Sequence, residues 1–313
     1  MIEVIGVPFD LCGKRLGSRL GPAAIRLAGL IEAFNDLGLT IADRGDVAAS
    51  NQSDESEGLR NFQPLFECTT RLRTVAREII EAGNTPIVLG GEHTLAMGGI
   101  SAALNHFAGG VGLLWIDAHA DINSPGTTDT GNLHGMPIAA LAGMPSGSSG
   151  VTDDQWRRLQ AALVPKRNLA LASTVWFGLR DVDSAERGRV ASGCAITMHD
   201  IDRHGVEATV TRIDTFLRQA GVRHLWISFD VDALDPVLAP GTGTGVRGGL
   251  TYREAHLTAE LIREFLDTPD CPYTLAGVDI VETNPLFDSQ NDTAKMAVEW
   301  LASLFGKTIL GKK

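Results

Sequence analysis

The segment VGLLWIDAHAD (residues 111–121) decides the fold, because it joins an apolar run directly to three polar side chains. A short run such as VGLLWI is typical of a buried strand in a parallel sheet. Asp117, His119 and Asp121 then follow at every second position. Because side chains alternate between the two faces of a strand, we expect these three to point to the same side.

Two further apolar runs end in similar residues. HLWISFDVD (residues 224–232) ends with Asp230 and Asp232, and TPIVLGGEHT (residues 85–94) adds His93. In an α/β sheet, ligands bind at the carboxyl ends of the strands. We therefore expect four carboxylates and two imidazoles to converge at one edge of the sheet.

This set of side chains favours a pair of divalent cations. Four aspartates carry four negative charges, which two such ions would neutralise, and without metal some of the carboxylates would hold protons. Oxygen ligands with some imidazole suit Mn²⁺. A structural zinc site usually recruits cysteines, and Cys12, Cys68, Cys194 and Cys271 form no CxxC pair.

Strand-like runs alternate with helical patterns along the whole chain. The pattern in GPAAIRLAGLIEAFNDLG, for example, predicts one helix over residues 21–38, opened by Pro22. Such alternation predicts an α/β fold in three layers (αβα) with a mostly parallel central sheet. Residues 143–150 (GMPSGSSG) form the most loop-like segment, but no linker divides the chain. We therefore expect a single domain over residues 1–313.

Composition excludes several classes of partner. The net charge of −11 argues against nucleic acid and anionic membranes. No apolar run reaches the length of a membrane span, and the N-terminal MIEVIGVPF lacks the basic start of a signal peptide. The scattered cysteines fit a reducing compartment, so a cytoplasmic protein is expected.

Several blocks of sequence resemble the ureohydrolase family, and the arginases within it most closely. The resemblance covers nearly the whole length, and its blocks are residues 6–9, 15–30, 115–137, 178–186, 228–254 and 277–285. The loop TTDTGNLHG (residues 127–135) favours arginases over agmatinases. One departure is that Glu92 and Thr94 replace the Asp and Ser that usually flank the first metal histidine.

The resemblance implies an arginase/deacetylase-like fold and two Mn²⁺ ions per subunit. One ion would be held by His93, Asp117, Asp121 and Asp230, and the other by His119, Asp117, Asp230 and Asp232. Asp117 and Asp230 would bridge the ions. A hydroxide shared by the two metals would attack the guanidinium carbon and give urea and an amine.

The resemblance also implies catalytic and substrate-binding roles for individual residues. His134 is expected to shuttle a proton to the departing amine. Asp121 is expected to be a catalytic residue as well as a metal ligand. Glu282 would face the guanidinium group, and Thr244 resembles the threonine on the substrate side of the family site.

The amino-acid end of the substrate would meet a different set of side chains. Asn123 and Thr130 are expected to contact the α-carboxylate, with Asn132 in the same loop. Asp183 and Glu186 are expected near the α-amino group.

The leading interpretation is hydrolysis of L-arginine to L-ornithine and urea by a homo-oligomer, a trimer or a hexamer. One alternative is a hydrolase of agmatine, guanidinobutyrate or a similar guanidino compound. A zinc deacetylase is disfavoured by the full pair of metal sites, and a zinc peptidase by the lack of HExxH. A non-catalytic family member is a further alternative if Glu92 weakens metal binding.

Overall fold

The computed structural model describes residues 1–310, which form one central sheet with helices on both faces. The strands are β1 (Ile2–Val7), β2 (Ile41–Asp46), β3 (Thr85–Gly90), β4 (Val111–Ile116), β5 (Thr174–Leu179), β6 (Cys194–Thr197), β7 (His224–Asp230) and β8 (Thr274–Val281). Their order is β2-β1-β3-β8-β7-β4-β5-β6, and every neighbouring pair is parallel.

Ten α-helices connect and cover these strands in the described part of the chain. They are α1 (Gly21–Leu27), α2 (Leu30–Asp36), α3 (Phe62–Glu81), α4 (Ala96–His106), α5 (Pro137–Leu141), α6 (Gly150–Leu163), α7 (Ser184–Val190), α8 (Met198–Gln219), α9 (Tyr252–Asp267) and α10 (Asp292–Leu304). None of them is long and apolar enough to cross a membrane.

Each face of the sheet has its own hydrophobic core. Strand β4 illustrates this, since Leu114 and Ile116 belong to the core under α1, α2, α8, α9 and α10. Leu113 and Trp115 belong to the opposite core, under α3 to α6. Alternation along a strand that is buried on both faces produces this division. The predicted three-layer αβα fold with a mostly parallel sheet is confirmed.

Local details differ from the sequence-based expectation. The helix predicted over residues 21–38 is two helices, α1 and α2, because Gly29 has a left-handed backbone (φ 91°) between them. Strand β2 (IADRGD) lies at the edge of the sheet and is mostly exposed. Its sequence therefore needs no apolar run. Residues 143–149 lie between α5 and α6 as a loop, as predicted, and α6 begins at Gly150.

The topology brings the polar strand ends together. β3, β8, β7 and β4 are consecutive in the sheet, and His93, Asp117 and Asp230 lie at or just beyond the carboxyl ends of three of them. The sheet draws strands from nearly the whole chain. The single-domain boundary at residues 1–313 stays a prediction.

Candidate metal centre and adjoining cleft

The first cluster surrounds the buried imidazole of His93. Its Nδ1 lies 3.1 Å from Asp117 Oδ2, 3.1 Å from Asp121 Oδ2 and 3.2 Å from Asp230 Oδ2. This nitrogen has no hydrogen-bond partner among the described residues. A buried nitrogen that faces three carboxylate oxygens is the arrangement expected of a metal ligand set.

The second ring nitrogen of His93, Nε2, has a hydrogen-bond partner that orients the ring. Nε2 lies 2.8 Å from Ser228 Oγ, and the Ser228 hydroxyl donates to Asp279 Oδ1. Because the Ser228 hydroxyl donates to Asp279, Nε2 would be the donor to Ser228 in the neutral ring, and the lone pair of Nδ1 would then be available to a cation. The ring also stacks on Trp115, with centroids 3.8 Å apart.

A second cluster forms around His119. Its Nδ1 lies 3.1 Å from Asp232 Oδ2 and 3.3 Å from Asp117 Oδ1. Asp232 Oδ2 also accepts a hydrogen bond of 2.7 Å from Thr244 Oγ1. The His119 side chain is 26 % exposed, so this cluster is the one nearer to solvent.

The carboxylates repel one another strongly. Burial, together with the charge of Asp117, raises the pKa of Asp121 to about 6. Burial and the charges of Asp232 and Asp117 raise the pKa of Asp230 well above its usual value. Bound cations would remove this repulsion and keep the carboxylates ionised. The side chains therefore fit two divalent ions, while the individual ligand assignments stay predictions.

The sequence analysis expected strand alternation to align these candidate ligands, and this expectation was wrong. β4 ends at Ile116, so Asp117, His119 and Asp121 lie in the loop beyond it. Asp121 adopts a left-handed backbone (φ 47°), and Asp232 lies in a short 3₁₀ turn after β7. Loop conformation, and not the pleat of a strand, aims these carboxylates.

His134 and Glu282 form a pair behind the clusters. His134 Nδ1 lies 2.9 Å from Glu282 Oε1, which also accepts the backbone N–H of His93 at 3.0 Å. Burial alone would lower the pKa of His134, but the hydrogen bond and charge of Glu282 raise it to about 9. Glu282 itself is buried and does not line the cleft, whereas His134 does.

A cleft of about 170 Å³ opens beside the clusters. Six residues predicted to meet the substrate line it, whereas Glu282, which was predicted to face the guanidinium group, does not. The six are Asn123, Thr130, Asn132, Asp183, Glu186 and Thr244. Lys14, Thr128 and Asp181 also line it, and the sequence interpretation missed all three.

Two of the predicted α-amino contacts also have structural partners. Asp183 Oδ2 accepts a 2.8 Å hydrogen bond from Asn123 Nδ2. Glu186 accepts the backbone N–H groups of Ile122 (2.9 Å) and Asp183 (3.1 Å). Burial raises the pKa of Glu186 to about 7. Glu186 therefore holds the loop in place as well as lining the cleft.

The unusual pair beside His93 is accommodated in the interior. Glu92 is fully buried, and its Oε1 accepts a hydrogen bond of 2.6 Å from Thr94 Oγ1. A Cβ at position 13 would lie 2.9 Å from Glu92 Oε2, so Gly13 leaves room for the longer side chain.

Ser228 and Asp279 were also missed at the sequence level. Both interrupt buried strands, and the register of β7 and β8 pairs them directly. A polar residue inside an apolar strand was the available signal, but its partner is set by the sheet.

Comparison with known proteins agrees with this geometry. A family model described as "Arginase family" matches residues 1–306. The chain belongs to the arginase family.

Among members of the arginase family, the arginase of Staphylococcus aureus (strain MRSA252) is 37% identical over 99% of this chain and 98% of its own. The arginase of Bacillus subtilis (strain 168) is 36% identical over 99% of each chain. The solved arginase of Bacillus caldovelox has a TM-score of 0.86 at 34% identity, covering 98% of this chain and 99% of its own. A hypothetical agmatinase from Burkholderia thailandensis scores lower, with a TM-score of 0.71 at 26% identity over 97% and 83%.

Proposed function

We propose that this protein hydrolyses L-arginine to L-ornithine and urea and depends on two Mn²⁺ ions. The observation that carries the proposal is the pair of clusters around His93 and His119, joined by Asp117 and opening on a polar cleft. Arginase relatives that match over the full length support it.

The proposed ligand sets combine the two clusters with the assignment that the family resemblance implies; the distances group Asp117, Asp121 and Asp230 around His93 and Asp117 and Asp232 around His119. His93, Asp117, Asp121 and Asp230 would hold one ion, and His119, Asp117, Asp230 and Asp232 the other. When bound, two divalent cations would lower the pKa of water and supply a nucleophile near neutral pH. Thr244 fixes one oxygen of Asp232, and Ser228 fixes the ring of His93.

Departure of the amine needs a proton, and His134 is the group that can donate it. Its Nδ1 is held by Glu282, which leaves Nε2 for the cleft. With a pKa of about 9 the imidazole keeps its proton across neutral pH. The bond from the guanidinium carbon to the substrate's chain nitrogen then breaks, and that nitrogen leaves as the neutral amine once protonated.

Choice of substrate rests on groups that meet the α-carbon. Thr130 and Asn132 offer donors to a carboxylate, and Asp183 offers an acceptor to an ammonium group. Agmatine lacks the carboxylate and would leave those donors unpaired. Of the two, Asn132 is buried, and a buried donor left unpaired costs about 1–3 kcal/mol, so arginine is favoured.

Two alternatives define the test. A hydrolase of agmatine or guanidinobutyrate would release urea from those compounds with a higher kcat/KM than from L-arginine. A non-catalytic protein would release none even when fully metallated. Urea release over this panel, with metal content measured on the same samples, separates the three outcomes.

Asp183→Ala adds a matched test of substrate recognition. We expect the KM for arginine to rise far more than manganese content changes, because Asp183 touches neither His93 nor His119. A parallel loss of manganese would contradict its role at the amino-acid end.

We further propose a cytoplasmic homo-oligomer, trimeric or hexameric, in which residues 1–313 form one domain. The four cysteines are unpaired, which fits a reducing compartment. One continuous sheet built from strands between Ile2 and Val281 supports the single domain. Sedimentation analysis of the purified protein tests the assembly.

A further inference from the structure

Arg60 contacts a residue of the cleft from a distant part of the chain. It lies just before α3, and its Nη1 donates a hydrogen bond of 2.7 Å to Asn132 Oδ1, across 72 residues of sequence. Asn132 is 9% exposed and lines the cleft beside Lys14 and Thr130.

This contact determines the orientation of the Asn132 amide. A guanidinium group carries donors only, so the atom that faces Arg60 must be the amide oxygen. The amide nitrogen then points away from Arg60. Within residues 1–310, Nδ2 of Asn132 donates to no protein acceptor, and its two hydrogens remain for a ligand in the cleft.

The backbone around Arg60 is held against the elements that carry the site. Arg60 O accepts a hydrogen bond of 3.6 Å from Cys12 Sγ, and Asn61 Nδ2 donates to Leu11 O at 2.6 Å. The backbone N–H of His134 in turn donates to Cys12 O at 3.4 Å. Three segments distant in sequence therefore fix one another at the rim of the cleft.

We propose that Arg60 is a positioning residue for substrate recognition: it holds the Asn132 amide so that Nδ2 donates to the α-carboxylate of the substrate. The inference rests on the proposed hydrolysis of L-arginine. Arg60 acts through Asn132 and does not touch the reacting guanidinium group, so it influences binding of the amino-acid end and not the chemical step.

Steady-state kinetics of manganese-loaded Arg60→Ala test the inference. We expect the KM for L-arginine to rise about tenfold, equivalent to about 1.4 kcal/mol, with kcat within about twofold of the unaltered protein. The inhibition constant of L-ornithine, which carries the same carboxylate, should rise in parallel. That of agmatine should stay within about twofold.

A double-mutant cycle separates positioning from general damage. Asn132→Ala should raise KM by a similar factor, and Arg60→Ala should add almost nothing in that background. Asn132→Asp keeps an oxygen for Arg60 but loses the Nδ2 donor, so its KM should rise at least as much. Additive effects of the two alanine substitutions would overturn the proposal.

Arg71→Ala is the matched control, since Arg71 is also an exposed, hydrogen-bonded arginine but lies along α3 away from the cleft. Its KM should be unchanged. If Arg60→Ala fails to fold, Arg60→Met, which keeps an unbranched side chain but has no N–H donor, replaces it in the same cycle, with the melting temperature as a check. If the unaltered protein released no urea from L-arginine, the proposed function would be wrong. If turnover were normal and the Arg60 variants had an unchanged KM, only the inference about Arg60 would be wrong.

Discussion

Replacing Ser228 with alanine should weaken one metal site and spare the other. Ser228 Oγ is the acceptor for His93 Nε2 at 2.8 Å, and its own hydrogen goes to Asp279. Without it, the imidazole loses the contact that selects its tautomer and fixes the direction of Nδ1. The donor also remains buried, because the His93 side chain is only 1% exposed.

The magnitude follows from that unsatisfied donor. Leaving one buried polar group unpaired costs about 1–3 kcal/mol, and each 1.4 kcal/mol is a factor of about ten in affinity. We therefore expect the ion bound by His93 to dissociate about 10–100-fold more readily, the range typical for loss of such an outer contact. The ion bound by His119 should keep its affinity, since His119 makes no contact with Ser228.

Equilibrium dialysis against graded free Mn²⁺, followed by elemental analysis, gives the two affinities separately. Ser303→Ala is the control, because Ser303 Oγ makes a similar 2.8 Å contact with His256 Nδ1 outside the site. Melting temperatures measured with chelator present report any general loss of stability. Two unchanged manganese affinities in Ser228→Ala would refute the assignment of His93 as a ligand held through Ser228.

Three further expectations concern the same site. Asp230→Ala should remove most of both metals and nearly all urea release, whereas His93→Ala should empty one site and leave partial activity; elemental analysis paired with a urea assay decides this. Activity should rise from neutral pH because the hydroxide nucleophile forms more readily as pH increases. It should fall above about pH 9, because His134, whose pKa is raised to about 9, loses its proton there. A pH-rate profile of His134→Asn that keeps the same alkaline fall would contradict the role of this residue. Glu92→Asp should tighten manganese binding by up to about tenfold at an unchanged ratio of arginine to agmatine turnover, and a flat manganese titration would show that the interior already absorbs the longer side chain.

The sequence predicted the central strands because they are apolar on both faces, as in VGLLWI of β4. It missed β2 and β6 because edge strands need no such pattern, and β2 is largely exposed. It also merged α1 with α2, since the helical periodicity continues through Gly29 and only the left-handed backbone there separates the two helices.

The site was predictable to the extent that its candidate metal ligands occur in short motifs. Asp117, His119 and Asp121 lie within five residues, and Asp230 with Asp232 within three. The outer contacts were not predictable in this way. Ser228 meets Asp279 through the register of β7 and β8, and Arg60 meets Asn132 through the packing of two loops. Such pairs depend on tertiary structure that no local pattern encodes.

Two of the site residues store conformational strain, and this indicates how the site is kept rigid. Asp121 (φ 47°) and Glu282 (φ 62°) both adopt left-handed backbones without being glycine. Such a conformation costs about 1–3 kcal/mol and persists only where surrounding contacts enforce it.

Those enforcing contacts come from the scaffold. The carbonyl of Asp121 accepts the N–H of Ile138 at 3.1 Å, and the N–H of Glu282 donates to Gly91 O at 2.7 Å. The turn at Asp121 directs its carboxylate to His93, and the turn at Glu282 directs its carboxylate to His134 and to the backbone of His93. These scaffold contacts therefore help to aim the two carboxylates, which lowers the part of the free energy of ion binding that would be spent on arranging the site.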